Sequence, residues 1–202
     1  MKQSSLTVGV DVPWVTSWTA EPIVGVRRCA SVGGRPALAQ NERAGFGRPE
    51  YSKNHLLRQR LSVGRMLCPM CGAPTPPDDR WTQVARLVAA GRLRRQGKGD
   101  GLGTEIEDAR ILLNAGSIAP LHRACVDRSL AHCPHLKADP NVEVMRFPAR
   151  WTVTPLLIPA EADGASAPVP VIAFLQLCGI TDRLDRDWRV RTRLRAPALQ
   201  AA

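Results

Sequence analysis

The period of the apolar positions changes several times along this chain, and each change marks an element. Leu6 to Val12 alternates and Trp14 to Trp18 runs apolar with β-branched residues, so both read as short strands. Ile23-Val24-Gly25-Val26 is a further short strand, ending in Arg27-Arg28. Gly, Pro and Asn punctuate residues Gly33 to Pro49, which predicts an extended loop or arm. Asn54 to Arg65 has helical composition, with Arg58, Arg60 and Arg65 projecting from it. Pro74-Thr75-Pro76-Pro77 then forms a stiff connector. After it, Asp78 and Asp79 stand where acidic N-terminal caps belong, and Trp81, Val84, Ala85 and Val88 follow at helical spacing. That pattern predicts a helix of about four turns to Leu93 or Arg95, its end marked by Arg92, Arg94 and Arg95.

The second half of the chain reads more β-rich. Gly97 to Gly103 is glycine-dense but lacks a Gly-Lys-Ser/Thr ending and a leading strand, so it reads as a loop tip rather than a phosphate loop. Ile111-Leu112-Leu113 predicts a short buried strand, ended by Asn114-Ala115-Gly116. Pro120 introduces a helix from about Leu121 to Ala131. Val142 to Phe147 and Trp151 to Ile158 read as paired strands joined across Pro148. Val171 to Leu177 has few polar residues and belongs in the middle of a sheet. Asp187 to Arg195 is the last predicted strand. The expected class is α+β: a zinc module with an inserted helix, flanked by short strands at both ends. Three regions follow: a basic, β-rich stretch over 1–65, a zinc-binding module over 66–136, and a β-rich region over 137–202.

Composition changes this picture in two ways. Of 202 residues 44% are hydrophobic, enough for a real core, while 17 prolines and 16 glycines imply much irregular backbone. The net charge of +10, with a pI near 10.2, points to a polyanionic partner, nucleic acid first. Residues 1–66 carry ten basic and four acidic side chains, so over half of the excess lies in the first third. No stretch reaches the roughly 18 apolar residues of a membrane span, and no signal-type apolar run follows Lys2, so the expected compartment is the cytoplasm. There, six cysteines fit metal ligation better than a disulfide framework.

The cysteine spacing carries the chemistry. Cys68-Pro69-Met70-Cys71-Gly72 supplies two thiolates in a tight turn, and Gly72 permits the positive φ such a knuckle needs. His122 and Cys125 are three apart, which places both on one face of a helix within its first turn after Pro120. Cys68, Cys71, His122 and Cys125 therefore form a coherent Cys3His set for one structural Zn2+. Cys133 would lie about 12 Å from Cys125 if the helix continues. Cys133 and His135 are thus ligands of second rank, serving only if the helix stops early and the chain folds back. Cys29 and Cys178 have no ligand-spaced neighbour and read as buried, inert thiols.

Cys-x-x-Cys-Gly, a Pro-led His-x-x-Cys helix and then Cys133-Pro134-His135-Leu136 resemble small phage and prophage zinc-finger proteins of unassigned role. The same halves resemble the treble-clef frame of the HNH endonucleases. The resemblance covers about residues 66–136 and implies a treble-clef module with a structural zinc. HNH chemistry requires a histidine base between the ligand pairs, and residues 72–121 contain none. No catalytic residue is therefore nominated.

If the zinc site is a scaffold, function falls to the basic surfaces. Strand alternation from Asp187 puts Trp188, Val190, Thr192 and Leu194 on one face and Arg189, Arg191, Arg193 and Arg195 on the other. Those arginines would stand about 7 Å apart, close to a phosphate repeat. Lys53, Arg58, Arg60 and Arg65, near Tyr51, form the second candidate surface. The expected partner is DNA or RNA. The alternative is an adaptor or structural protein of phage type with protein partners only; a metal-dependent HNH-like nuclease comes third.

Overall fold

The computed structural model describes residues 2–99, 101–140, 142–160 and 168–187. In chain order its elements are β1 (Thr16–Trp18), β2 (Ile23–Cys29), a 3-10 turn (Ala30–Val32), β3 (Arg35–Gln40), β4 (Pro49–Asn54) and α1 (Leu56–Arg65). There follow β5 (Trp81–Thr82), β6 (Arg86–Ala89), α2 (Ala90–Arg95), β7 (Arg110–Gly116), α3 (Arg123–His132), α4 (Pro134–Ala138), β8 (Met145–Arg146), β9 (Arg150–Ala160) and β10 (Val169–Leu184).

β10 is the spine. Its residues Val171–Ala173, Leu175 and Leu177–Gly179 are buried, as the near-continuous apolar run requires of a strand covered on both faces. β9 pairs antiparallel with it from Val169 to Ile180. The opposite edge is divided: β3 pairs parallel at Ile172, and β7 pairs antiparallel from Leu177 to Leu184. β2 extends the sheet beyond β3 and β6 extends it beyond β7, giving six strands. Between the β3 and β7 contacts, the amide of Gln59 on α1 serves as a strand. It accepts the N–H of Leu175 at 3.0 Å and donates to the Leu175 carbonyl at 2.7 Å. Leu175 lies opposite Pro155 of β9, which has no N–H to offer. A buried amide with all its partners made holds α1 in one register on the sheet.

The main core lies where the end of α1 meets the sheet: Val63 and Met66 pack with Val32, Ala37, Leu113, Ala115, Phe147, Ile172, Leu175 and Leu177. A second cluster sets Ala90 and Leu93 of α2 against Leu102, Ile106, Leu112 and Cys178. The third is Cys68, Leu121 and Val126, with Trp81 and Cys125 partly buried against it. α1 ends with Met66 at φ 52, the one positive-φ residue other than glycine among the described residues. This left-handed cap, its N–H bonded to the Ser62 carbonyl, turns the chain out of the main core and into the Cys68 knuckle.

Several expectations hold: the helix ending at Arg65, the strand at Ile111–Leu113, the helix after Pro120, and the central position of Val171–Leu177. Others are corrected. The predicted helix from Asp79 to Leu93 or Arg95 is instead β5, a bend, β6 and the six-residue α2. Trp81 pairs with Arg146, and Val88 pairs with Leu112, so cross-strand pairing of β-branched and aromatic residues overrides their helical spacing. Leu6–Val12 is a turn in which the Thr7 carbonyl accepts the N–H groups of Val10, Asp11 and Val12, and Asp11 accepts that of Thr7. Gly33–Pro49 is no open arm, because β3 runs through it. The two strands expected to pair across Pro148 take other partners: β8 pairs with β5 and β9 with β10. The predicted last strand lies outside the described residues from Trp188 onward.

Candidate metal centre

The knuckle is built by its own backbone. The Cys68 N–H donates to the Ala73 carbonyl at 2.8 Å, and the Gly72 N–H donates back to the Cys68 carbonyl at 2.8 Å. Gly72 has φ +80, and a Cβ there would stand 2.9 Å from the Trp14 ring. Two conditions therefore demand glycine, the left-handed backbone and the indole packed on it. The N-terminal segment braces the same loop: the N–H groups of Trp14 and Val15 donate to the carbonyls of Met70 and Pro69 at 2.9 and 3.1 Å.

The second half is set by α3. His122 is its N-cap residue, but the imidazole makes no capping bond. Instead its Nε2 lies 3.0 Å from the Pro74 carbonyl, while Nδ1 lies 3.5 Å from Cys71 Sγ and 4.0 Å from Cys125 Sγ. A carbonyl only accepts, so Nε2 carries the proton and Nδ1 presents its lone pair to the thiols. That is the tautomer a metal ligand requires, fixed by a backbone group from the opposite half of the site. The helix amide that His122 leaves uncapped is taken by Asp79, whose Oδ1 accepts the Arg123 N–H at 2.8 Å and the Trp81 indole N–H at 3.0 Å. Trp81 and Leu121 exchange two backbone bonds of 2.9 and 2.8 Å, which fasten the Asp79 segment beside the helix start.

The four ligand atoms of Cys68, Cys71, His122 and Cys125 lie within 4.8 Å of one another, so the group can hold a metal ion. Zinc–sulfur and zinc–nitrogen bonds of ordinary length in a tetrahedron put ligand atoms roughly 3.5–3.8 Å apart, which the His122–Cys71 distance already meets. Burial pushes the Cys68 thiol up, against the lowering effect of the backbone amides of Cys71, His122 and Met70. Cys125 is pushed up to about 12, first by burial and then by the neighbouring thiols Cys68 and Cys71. The Cys68 and Cys125 thiols therefore resist ionising. A dication placed among them removes that penalty and displaces their protons.

Cys133 and His135 are not part of this group. Cys133 caps α3 at its C-terminus and opens α4, which carries the exposed His135. Cys178 is buried, and burial pushes its thiol up to about 11. Cys29 is only half-buried, on the main core.

The expected basic surface on α1 is corrected. Arg58 does not project. It is buried and grips Glu21 with two bonds of 2.8 and 2.7 Å, with a third at 2.8 Å to the Thr16 carbonyl. Arg60 is buried as well, donating to the Leu38 carbonyl at 2.9 Å and reaching those of Ile172 and Ala173 and the Cys29 sulfur. Neither guanidinium can meet a phosphate. Arg65 is exposed at the helix end, and Lys53 is exposed with an ion pair to Glu50 at 2.6 Å. Arg189, Arg191, Arg193 and Arg195 lie outside the described residues. Sequence reasoning missed Asp79 as the cap of α3, Trp14 as the lid on the knuckle, and the Pro74 carbonyl. Only Asp79 left a signal, and its capping character pointed to the wrong helix.

No family model matches this chain, and neither a curated protein nor a solved structure matches it. Among the described residues, no helix is long and apolar enough to cross a membrane.

Proposed function

We propose that the chain is a structural-zinc protein that binds nucleic acid through its basic surface, the zinc serving to hold the fold. The observation that carries this reading is the convergence of Cys68, Cys71, His122 and Cys125, with the His122 tautomer set by Pro74. Three thiolates and one imidazole suit zinc better than magnesium or calcium, which take oxygen ligands. Four protein ligands fill a tetrahedron, which is the arrangement of a structural rather than a catalytic ion. A knuckle followed by a helix that offers ligands from its first turn also supports the treble-clef reading of this part of the chain.

The nucleic-acid half of the proposal rests on charge. Of 28 basic residues, 24 are arginine, whose planar fork matches phosphate oxygens. The HNH-like reading gains nothing from the site. His122 faces the thiols, and His55 is buried with Nδ1 accepting the Arg58 N–H and Nε2 on the Asn41 carbonyl. One observation favours the adaptor reading: β9 exposes Trp151, Leu156 and Leu157.

Two measurements decide. Elemental analysis of the purified protein should find about one zinc per chain. Fluorescence titration with a labelled oligonucleotide should show binding that weakens steeply with salt. No metal sinks the first half; no binding at about 50 mM salt, where affinity is greatest, sinks the second.

A further inference from the structure

Burial of Arg58 and Arg60 removes them from any nucleic-acid contact, which raises the question of where the exposed positive charge gathers. Residues 22–41 contain Arg27, Arg28 and Arg35 and no acidic residue. β2 and β3 form an antiparallel hairpin over this stretch, with Arg28 opposite Pro36 and Cys29 opposite Arg35. All three arginines are exposed, and among the described residues none of them forms an ion pair.

Two of them, Arg28 and Arg35, reach carbonyls of the turn that joins the strands. Arg28 Nη1 donates to the Gly34 carbonyl at 3.4 Å, and Arg35 Nε donates to the Val32 carbonyl at 3.1 Å. Each uses one of five donors on a carbonyl of the same short turn and keeps the rest for another acceptor. The tip is held in place, since Val32 is buried in the main core beside Val63 and Met66. Arg60 lies behind the hairpin, bonded to the Leu38 carbonyl and 4.0 Å from the Cys29 sulfur, with no carboxylate partner among the described residues. Its buried charge adds to the field of the three exposed ones.

We infer that the hairpin of β2 and β3 is a phosphate-binding surface for duplex nucleic acid, with the exposed Arg27, Arg28 and Arg35 as its contacts. This rests on the nucleic-acid reading above and names the surface. Phosphates fit better than bases, because the hairpin has no aromatic side chain on which an unstacked base could lie. That selects a duplex over a single strand. The turn carbonyls hold Arg28 and Arg35 before binding, which reduces the side-chain ordering needed on contact.

The test is a salt titration of a 20-bp DNA duplex against three proteins, each checked for an unchanged melting curve. They are the natural chain, Arg27→Gln/Arg28→Gln/Arg35→Gln, and Arg86→Gln/Arg92→Gln/Arg150→Gln, which removes the same charge from exposed positions elsewhere. The hairpin variant should bind about 10–100-fold more weakly near 100 mM salt, its log–log salt slope smaller by about two to three. The control variant should lose less than about threefold, and a lysine triple at the hairpin should restore most of the slope. Equal losses in the two glutamine variants overturn the hairpin while leaving nucleic-acid binding intact, as does tighter binding of the matching single strand. No binding of either duplex or single strand by the natural chain, with or without binding to vesicles containing phosphatidylserine, overturns both readings.

Discussion

Asp79 caps a helix that begins 44 residues after it: its Oδ1 accepts the Arg123 N–H at 2.8 Å. The relationship exists because His122, the residue in the N-cap position, has committed its ring to Pro74 and the thiols. An aspartate 44 residues before the helix start supplies the cap that His122 does not. Asp79→Ala should cost about 1 kcal/mol of stability, the usual value of an N-cap, and Asp79→Asn should recover most of it. Because the cap holds the first turn that bears His122 and Cys125, the alanine variant should also lose zinc to a competing chelator more readily. Equal chelator resistance in the two proteins would show that the cap acts on the helix alone.

Cys71→Ser leaves the proposed zinc with three ligands. Structural zinc supplies folding free energy on the order of 10 kcal/mol in small zinc modules, so its loss should be felt locally. Zinc content should fall well below one per chain, and amide exchange should accelerate in residues 66–75 and 121–132. The sheet around β10 should keep its protection, since its core clusters are separate. Uniform protection in the variant would remove the structural role of the ion.

Gly72→Ala tests the knuckle without touching a ligand. Left-handed backbone costs a non-glycine residue roughly 1–2 kcal/mol. Here the new methyl would also press on the Trp14 ring at 2.9 Å. The melting temperature should drop and zinc affinity should weaken together. Trp14→Ala in the same background should recover part of the loss by opening space, which a double-mutant cycle would reveal.

Glu21, Arg58 and His55 form a buried polar group whose titration sets an acid limit on stability. Burial pushes the Glu21 carboxyl up, but the hydrogen bond and charge of Arg58, with His55 and the Arg43 N–H, outweigh it and hold it below 4.5. Burial pushes His55 below 6.5; the Asn41 carbonyl and the charges of Glu21 and Glu42 oppose this, while Arg58 adds to it. For both groups the unfolded chain takes up a proton before the folded one does. Their contribution is therefore complete above about pH 6.5 and is lost as pH falls, His55 first and Glu21 below about 4.5. Urea midpoints measured from pH 8 to 4 should decline below 6.5, and His55→Asn, which keeps a capping side chain on α1, should flatten the first part of that decline. Arg58→Ala, which strands the Glu21 charge, should cost about 3–5 kcal/mol.

Much of the Cys3His cluster was readable from the chain alone, because the spacing of its members is local. Two residues between Cys68 and Cys71, a glycine after them, and three residues from His122 to Cys125 after Pro120 bring each half together without reference to the rest of the fold. The strand at β10 and the helix at α1 were equally plain, since long apolar runs and helical composition need no partner to declare themselves. Spacing failed where partners decided. The stripe from Trp81 to Val88 became two strands because β8 and β7 stood ready to pair with them. Arg58 and Arg60 looked like surface charge until Glu21 and a row of β-strand carbonyls turned them inward.

The sequence by itself determined the four convergent side chains, the central strand and the excess of arginine. Only the tertiary structure decided which arginines stay outside, which tautomer His122 presents, and that Asp79 caps α3. The physical reason is reach. A knuckle or a helix turn is closed by neighbours a few residues apart, whereas a strand partner, a buried counter-ion or a distant cap is supplied from 22 or more residues away and leaves no periodic trace in the chain.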